Sequence, residues 1–380
     1  MKYSSFAFAL GLLATVSCSS SSRSSSSRPQ PAPDPASPVV EPADRDEMSI
    51  GVVRSAQQRN TDPRLEPTEL ETLTKSQANL ALDLYHAVRK LPDSADGDIF
   101  LSPHSVSIAL AMTYAGARGG TASEMKRALH FELPDERLHT AFDYLDLELA
   151  RRGATVPSED DQPFRLDVAN AIWGQSGTSF ETPFLDTLAI NYGAGLNLVD
   201  FVGATEKARE TINGWVEQET ERRIKDILPP GAVTRDTRLV LVNAIYFKAA
   251  WATKFEPSST TEASFTRVDG STVPVSMMSA PAVGRPYAKT ADYEAVELPY
   301  VGNELSMLVI MPTGAFGDFE ASLTGEKVLG ILGALERREV ALGFPKLKIE
   351  GAWSLKAPLQ ALGMKEAFER TADFSGMSTV

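Results

Sequence analysis

Residues 238–251 of the chain read RLVLVNAIYFKAAW, and Leu239–Phe247 within them is apolar almost without a break. A strand with one face in water alternates apolar and polar residues, so this run predicts a strand that is covered on both faces. Asn243 is its polar exception. Because a buried amide without a hydrogen bond costs on the order of 1–3 kcal/mol, we expect Asn243 to have a partner.

Other strands and several helices surround this one. Strands are predicted at Leu166–Ile172, Phe265–Val268, Val273–Met278, Leu305–Met311 and Val340–Ile349. Pro345 lies inside the last of them and marks an edge or an irregularity, because proline cannot donate to a strand ladder. Strands and helices are mixed along the chain without an internal repeat, which predicts an α+β fold.

The helices are clearest in the first half of the chain. Helical periodicity begins near Leu73, and a second helix is predicted with Ser102 as N-cap, Pro103 at its first position and a stop at Gly116. Its interior is apolar on all sides, so it is expected to be buried. Thr121–Glu124 fits a capping box for the next helix, and residues 132–151 are predicted to form an acidic helix.

Composition argues against two kinds of site. The 380 residues carry a formal net charge of −13, whereas binding to nucleic-acid phosphates draws on clustered Lys and Arg. No nucleic-acid partner is therefore expected. Cys18 is the only cysteine, so the body of the protein has neither an intramolecular disulfide nor a thiolate cluster for zinc.

Residues 1–18 have the pattern of a secretory signal. Lys2 precedes the apolar run FAFALGLLATV at residues 6–16, which is too short to span a membrane. Cys18 then stands where a bacterial lipobox has its lipidated cysteine, although Thr15 occupies a position where that pattern prefers leucine. Two interpretations stay open: lipidation of Cys18, or an ordinary signal peptide that is cut near the same place.

The signal is followed by a predicted disordered linker at residues 19–70 and a folded domain at residues 71–380. Residues 19–44 are mostly Ser and Pro, a composition that cannot bury apolar area and stays extended. We therefore predict a protein that is extracellular or displayed at the cell surface, as a lipoprotein anchored in the outer membrane. Its contact with a membrane would be limited to the lipid on Cys18.

The sequence contains no recognisable catalytic motif. GxSxG, HExxH, Walker A, GxGxxG and CxxC patterns are all missing. His104 lies between Ser102 and Ser105, but a catalytic base also needs a third group that orients it, and none is apparent. Structural roles are predicted for all four histidines, which are His86, His104, His130 and His139. The chain is predicted not to be an enzyme and to need neither cofactor nor metal.

Several stretches together resemble the serpin family along most of residues 73–380. They are IFLSPHSVSIALAM, GARGGTASEM, LDVANAIWGQ, INGWVEQETERRIKDILPPGAV, TRLVLVNAIYFKAAWATKF, VPVSMM, VELPYVGNELSMLVIMP, FPKLKIEG, LGMKEAF and ADFSGM, in this order. The chain is identified by these motifs as similar to an exported serpin of bacterial type.

This resemblance implies helices packed around three β-sheets in a metastable state. In inhibitory serpins, an exposed loop near the C-terminus is cut by the target protease and inserts into the main sheet, a known example of strand addition. The acylated protease is carried along and its active site is distorted. The implied function is inhibition of a serine or cysteine protease by a monomeric protein.

Four residues match family positions that form a gate in the main sheet. Ser102 and Ser105 match the start of the buried helix beneath the opening region of the sheet. Asn243 matches the polar strand residue that forms hydrogen bonds there. Trp251 matches the tryptophan at the top of the sheet, where insertion begins. The resemblance gives these residues mechanical roles, with no catalytic residue among them.

The chain departs from the family pattern at its end. In the family, the segment matching ADFSGM at residues 372–377 is followed by a central strand, a hinge, the reactive loop and further hydrophobic strands, whereas this sequence stops at Val380. We expect the C-terminal strands and the reactive bond to be absent from this chain. The alternative to an inhibitor is therefore a non-inhibitory or truncated remnant that acts as a binding protein.

Overall fold

The computed structural model describes residues 51–94, 97–155, 165–220, 222, 225–349 and 353–378. The signal segment, Cys18 and the Ser/Pro-rich stretch lie outside the described residues. The helices are α1 (Pro67–Arg89), α2 (Pro103–Tyr114), α3 (Gly119–Ala128), α4 (Asp135–Thr155), α5 (Thr182–Tyr192), α6 (Thr205–Glu219), α7 (Phe316–Ala321), α8 (Gly325–Gly333) and α9 (Lys356–Ala361). The strands are β1 (Gly51–Val53), β2 (Arg165–Gln175), β3 (Leu196–Val199), β4 (Leu239–Lys248), β5 (Thr261–Thr266), β6 (Thr272–Lys289), β7 (Tyr293–Pro299), β8 (Ser306–Pro312) and β9 (Glu336–Pro345).

The first sheet has the strand order β1-β3-β2-β4. The apolar run quoted above forms β4, which confirms the predicted strand. β4 pairs antiparallel with β2, and their register places Asn243 opposite Asn170. β2 and β3 are parallel, and α5 provides the crossover connection that a parallel pair requires.

The second sheet is built along the long strand β6. It has the order β5-β6-β7-β8, and β9 also pairs with β6. β6 spans 18 residues and has an irregularity between Ala280 and Val283. One part of β6 binds β5 and the other part binds β7, so a single strand joins two groups of strands. The described residues therefore form two hydrogen-bonded sheets where the resemblance implied three.

Helix α2 lies in the main core, against β2 and β4. Ile108, Ala111 and Met112 are at most 2% exposed and share a cluster with Ile172 of β2. The predicted start of this helix is confirmed, with Ser102 as N-cap and proline at the first position. Burial of its apolar side chains fixes α2 beneath the first sheet.

The boundary between linker and domain lies earlier than the sequence predicts. The predicted linker ran to residue 70, but β1 begins at Gly51 and α1 at Pro67. Residues 54–66 are polar and have no clear periodicity, so their packing against the domain could not be inferred from pattern. This correction moves the folded body to at least as far back as residue 51.

The predicted capping box at the start of α3 is wrong. α3 already begins two residues before Thr121, and neither Thr121 nor Glu124 caps it. Thr121 Oγ1 accepts a hydrogen bond from the backbone N–H of Asp373 (2.9 Å). Glu124 accepts hydrogen bonds from the backbone N–H groups of Lys365 and Glu366 (2.7 and 2.6 Å). Both side chains hold the C-terminal segment, which a local motif cannot reveal.

Candidate functional site

Ser102 and Ser105 are in direct contact at the start of α2. Their Oγ atoms are 2.8 Å apart, and Ser105 N–H donates to Ser102 Oγ at 3.5 Å. Ser105 is 1% exposed. The hydroxyl of the buried Ser105 is therefore satisfied by the half-buried Ser102, as a buried polar group requires. The structure brings this predicted pair together as a helix cap.

His104 does not activate either serine. Its Nε2 atom is buried and has no hydrogen-bond partner among the described residues. Burial lowers the pKa of His104 to about 4, while the charge of Asp146 acts in the opposite direction. A nucleophile and its base must be within hydrogen-bond reach, and this geometry lacks that contact.

Asn243 is placed by its backbone alone. It lies in the middle of β4, in register with Asn170 of β2. Its side chain falls outside what the structure describes, so its hydrogen-bond partner stays a prediction.

Trp251 lies just beyond β4 in an aromatic cluster. Its ring stacks on Tyr300, with centroids 4.6 Å apart and planes at 15°. Phe247 meets the same tyrosine edge-on at 5.0 Å, and Phe255 meets Trp251 edge-on at 6.3 Å. Burial raises the pKa of Tyr300 to about 12, so its hydroxyl stays neutral over the physiological range.

The Trp251 cluster joins the two sheets. Trp251 and Tyr300 form an antiparallel bridge, and Val301 N–H donates to the carbonyl of Ala250 at 2.9 Å. Tyr300 follows directly after β7, so the end of β4 is fixed to the end of β7. The candidate gate residues therefore occupy three separate places: a polar pair at the start of α2, Asn243 in the middle of β4, and an aromatic junction beyond β4.

Sequence reasoning did not single out the partners of Trp251. Tyr300 lies within the quoted motif VELPY and Phe247 ends the apolar run of β4. Phe247 was visible as an apolar strand residue, whereas Tyr300 follows β7, for which no strand was predicted. The contacts of Tyr300 with Trp251 and Phe247 depend on where β4 and β7 end in space. The local sequence does not predict this.

A second cluster of polar side chains lies between α4 and α5. His139 Nδ1 is 2.8 Å from Tyr192 Oη, and the two rings meet edge-on at 5.9 Å. Burial lowers the pKa of His139 to about 4. Burial also raises the pKa of Asp143 to about 6, although the nearby Arg59 acts in the opposite direction. These groups are buried inside the helical layer, away from the Trp251 junction.

Two further features bear on the kind of site. Within the described ranges, no group of three or more His, Cys, Asp or Glu residues is arranged to hold a metal ion. Over the same ranges, no helix is both long and apolar enough to cross a membrane.

Comparison with known proteins relates this arrangement to a family. A family model described as Serpin (serine protease inhibitor) matches residues 75–380. The leukocyte elastase inhibitors of Bos taurus and Homo sapiens are each 36% identical to this chain, with 81% of this chain and 81% of each relative covered. An uncharacterized serpin-like protein of Thermococcus kodakarensis is 40% identical over 284 residues, covering 74% of this chain and 64% of that protein.

Solved structures give the same result. Ovalbumin from emu (Dromaius novaehollandiae) has a TM-score of 0.73 and 30% identity, covering 80% of this chain and 81% of that chain. A tumour-suppressing serpin has a TM-score of 0.74 and 27% identity, with coverage of 82% and 84%. These similarities confirm the α+β fold, with helices packed around sheets, that the sequence predicts.

Proposed function

The chain belongs to the serpin family of serine protease inhibitors, and we propose that it inhibits its target protease outside the cell, by strand insertion into the first sheet. The family match and the elastase inhibitor relatives support inhibition of a serine protease. The location, the lipid anchor, the target and the monomeric state are the further parts of the proposal. The protein would be consumed by each protease that it traps, so no catalytic residue is assigned.

The position of β4 supports this mechanism. Within the described residues β4 pairs antiparallel with β2, and we place the inserted strand at its other side. A strand added at that side would form a hydrogen-bonded ladder with the ten residues of β4. The Ser102–Ser105 pair lies at the start of α2, which packs against β4, and the Trp251 junction lies just past its end.

The test is the formation of a covalent complex. The full-length protein, with any residues that its gene encodes after Val380, would be incubated with a panel of serine and cysteine proteases. Elastases come first because the similar relatives are named leukocyte elastase inhibitors. The expected result is an SDS-stable band at the summed mass of protease and inhibitor less the peptide that is released on the C-terminal side of the cut, together with lost protease activity.

A matched control separates trapping from simple binding. Protease whose active-site serine is already blocked should give no such band, because the acyl bond cannot form. Cleavage of the chain without any stable complex, across the whole panel, would overturn inhibition. That outcome would favour the alternative, a non-inhibitory serpin that acts as a binding protein.

The proposed cell-surface location rests on Cys18. The cysteine follows an apolar segment, and a Ser/Pro-rich stretch follows it, which suits a lipid anchor with a flexible tether. A single acyl chain binds membranes weakly, so stable anchoring needs more than one. We expect labelled palmitate to be incorporated in a bacterial host and to be lost in Cys18→Ser. Equal labelling of both proteins would contradict lipidation at this residue.

A further inference from the structure

The segment before α1, residues 51–66, lies across the outer edge of the first sheet. Its strand β1 pairs antiparallel with β3, with Val52 opposite Asn197. In the described strand order, β1 is the outermost strand next to β3. It therefore covers the edge of β3. We name residues 51–66 the strap.

Two glycines make room for the strap. A Cβ atom at Gly195 would lie 2.5 Å from Arg54 Cγ and 2.9 Å from Val52 Cγ1. A Cβ atom at Gly193 would lie 2.9 Å from Arg59 Cδ. At contacts below 3 Å a side chain of the strap would have to shift, so the lack of side chains at Gly193 and Gly195 favours the observed fit of the strap over the stretch between α5 and β3.

Arginine and backbone contacts fix the strap beyond β1. Arg59 Nε donates to Asp143 Oδ1 at 2.8 Å, and another nitrogen of its guanidinium donates to Asp146 Oδ2 at 2.6 Å. The Asp143 side chain is 0% exposed. Asn60 N–H donates to the carbonyl of Ile190 in α5 at 2.8 Å. The strap therefore connects β3, α5 and α4 before α1 begins.

The strap is held mainly by polar contacts. Most of its residues are exposed, Val52 to 44%; Pro63 is its one buried residue, and Val53 and Leu65 are half-buried against the main core. A segment with few buried apolar contacts opens at a free energy well below that of global unfolding. Opening would leave β3 without its outer strand and remove the cation from the buried Asp143. An unpaired edge of β3 and a buried carboxylate without a cation are both unfavourable. An equivalent segment is therefore expected to replace the strap rapidly.

We propose that the strap is exchangeable, so that the strap of one copy of this chain can occupy the β3 edge of a second copy. The strap of another copy can form the same hydrogen bonds with β3 and place the same Arg59 at Asp143. It also fits over Gly193 and Gly195 in the same way. Exchange of identical elements is a low-cost route to dimers because the interface already exists within one chain. The docked strap is the monomeric form, and the exchanged strap gives a dimer. This inference does not depend on protease inhibition.

The test uses thiols across the β1–β3 pair in full chains that also carry Cys18→Ser. Opposed antiparallel residues have Cα atoms about 4.5–5.5 Å apart, which a disulfide can bridge. Chains with Val52→Cys would be mixed with size-tagged chains carrying Asn197→Cys, incubated under reducing conditions and then oxidised. Exchange predicts a disulfide-linked heterodimer at a yield about tenfold or more above the collision control, because docked thiols have a high effective concentration.

The collision control mixes Val52→Cys with Val268→Cys, whose position is 57% exposed and lies in the turn between β5 and β6 of the second sheet. A third sample adds Gly195→Ala to the Asn197→Cys chain, and its heterodimer yield should fall to the control level. A single chain with both thiols should lock its own strap and give a disulfide-bonded monomer. Heterodimer no more abundant than the collision control, while that monomer forms, would overturn exchange. Failure of the single chain to form its disulfide would overturn the docked strap itself.

Discussion

Between pH 6.5 and pH 4, His139 is expected to reduce the free energy of unfolding by about 1.4 kcal/mol per pH unit. Burial lowers the pKa of His139 to about 4 in the folded protein, from 6.5. In this window the unfolded chain takes up a proton and the folded chain does not. Stability from this residue is therefore complete above pH 6.5 and is lost as the pH falls toward 4.

His104 acts in the same direction, because burial lowers its pKa to about 4 as well. Asp143 acts in the opposite direction, because its folded pKa is raised to about 6 from 3.8. The folded protein binds the Asp143 proton first, so this group adds stability as the pH falls through 6. Between pH 6 and pH 4, the two destabilising histidines and the one stabilising carboxyl together leave a net loss of unfolding free energy of about 1.4 kcal/mol per pH unit.

The measurement is chemical unfolding at several pH values between 7 and 4, for the parent chain and for His139→Gln. The variant cannot titrate, so its unfolding free energy should fall less steeply by about 1.4 kcal/mol per unit. Tyr192→Phe is the matched control, because it removes the hydroxyl partner of His139 but leaves the imidazole buried. The control should keep the parent slope. Equal slopes for the parent and His139→Gln would contradict a buried, neutral histidine.

Long, strongly patterned elements could be predicted from the sequence, and short ones could not. β4 is apolar over nearly its whole length, and α2 has a cap, a proline and an apolar interior, so each carries its own signal. β3 has only four residues, Leu196–Val199, and is extended because it pairs with β2 and β1. Periodicity cannot identify so short a strand, because tertiary pairing decides its conformation.

The same distinction holds for the candidate site. Ser102 and Ser105 lie one helical turn apart at a predicted cap, so their contact follows from local geometry. The stack of Trp251 on Tyr300 joins the ends of two strands in different sheets, and the sequence contains only the separate residues. The strap was missed for a related reason, since its fit depends on Gly193 and Gly195, which pattern analysis treats as ordinary turn residues.

Replacing Trp251 with alanine is expected to lower the free energy of unfolding by about 3 kcal/mol. Large aromatic residues in cores cost roughly 3–5 kcal/mol when truncated, and Trp251 is half-buried, which places it near the lower limit. The loss includes the stack on Tyr300, since aromatic pairs contribute about 0.5–1.5 kcal/mol beyond their buried area. Trp251→Phe keeps an aromatic ring against Tyr300 and should cost about 1 kcal/mol.

The same pair of variants tests whether the Trp251 junction acts in inhibition. Trp251 and Tyr300 fix the end of β4 to the end of β7, so truncation should let β4 move before a cleaved loop has inserted beside it. With a protease that forms the complex, Trp251→Ala should raise the amount of inhibitor cleaved per protease trapped, and Trp251→Phe should stay near the parent. Trp251→Ala could lower the free energy of unfolding as expected and still leave the amount of inhibitor cleaved per protease trapped unchanged. In that case the junction stabilises the fold and takes no part in trapping.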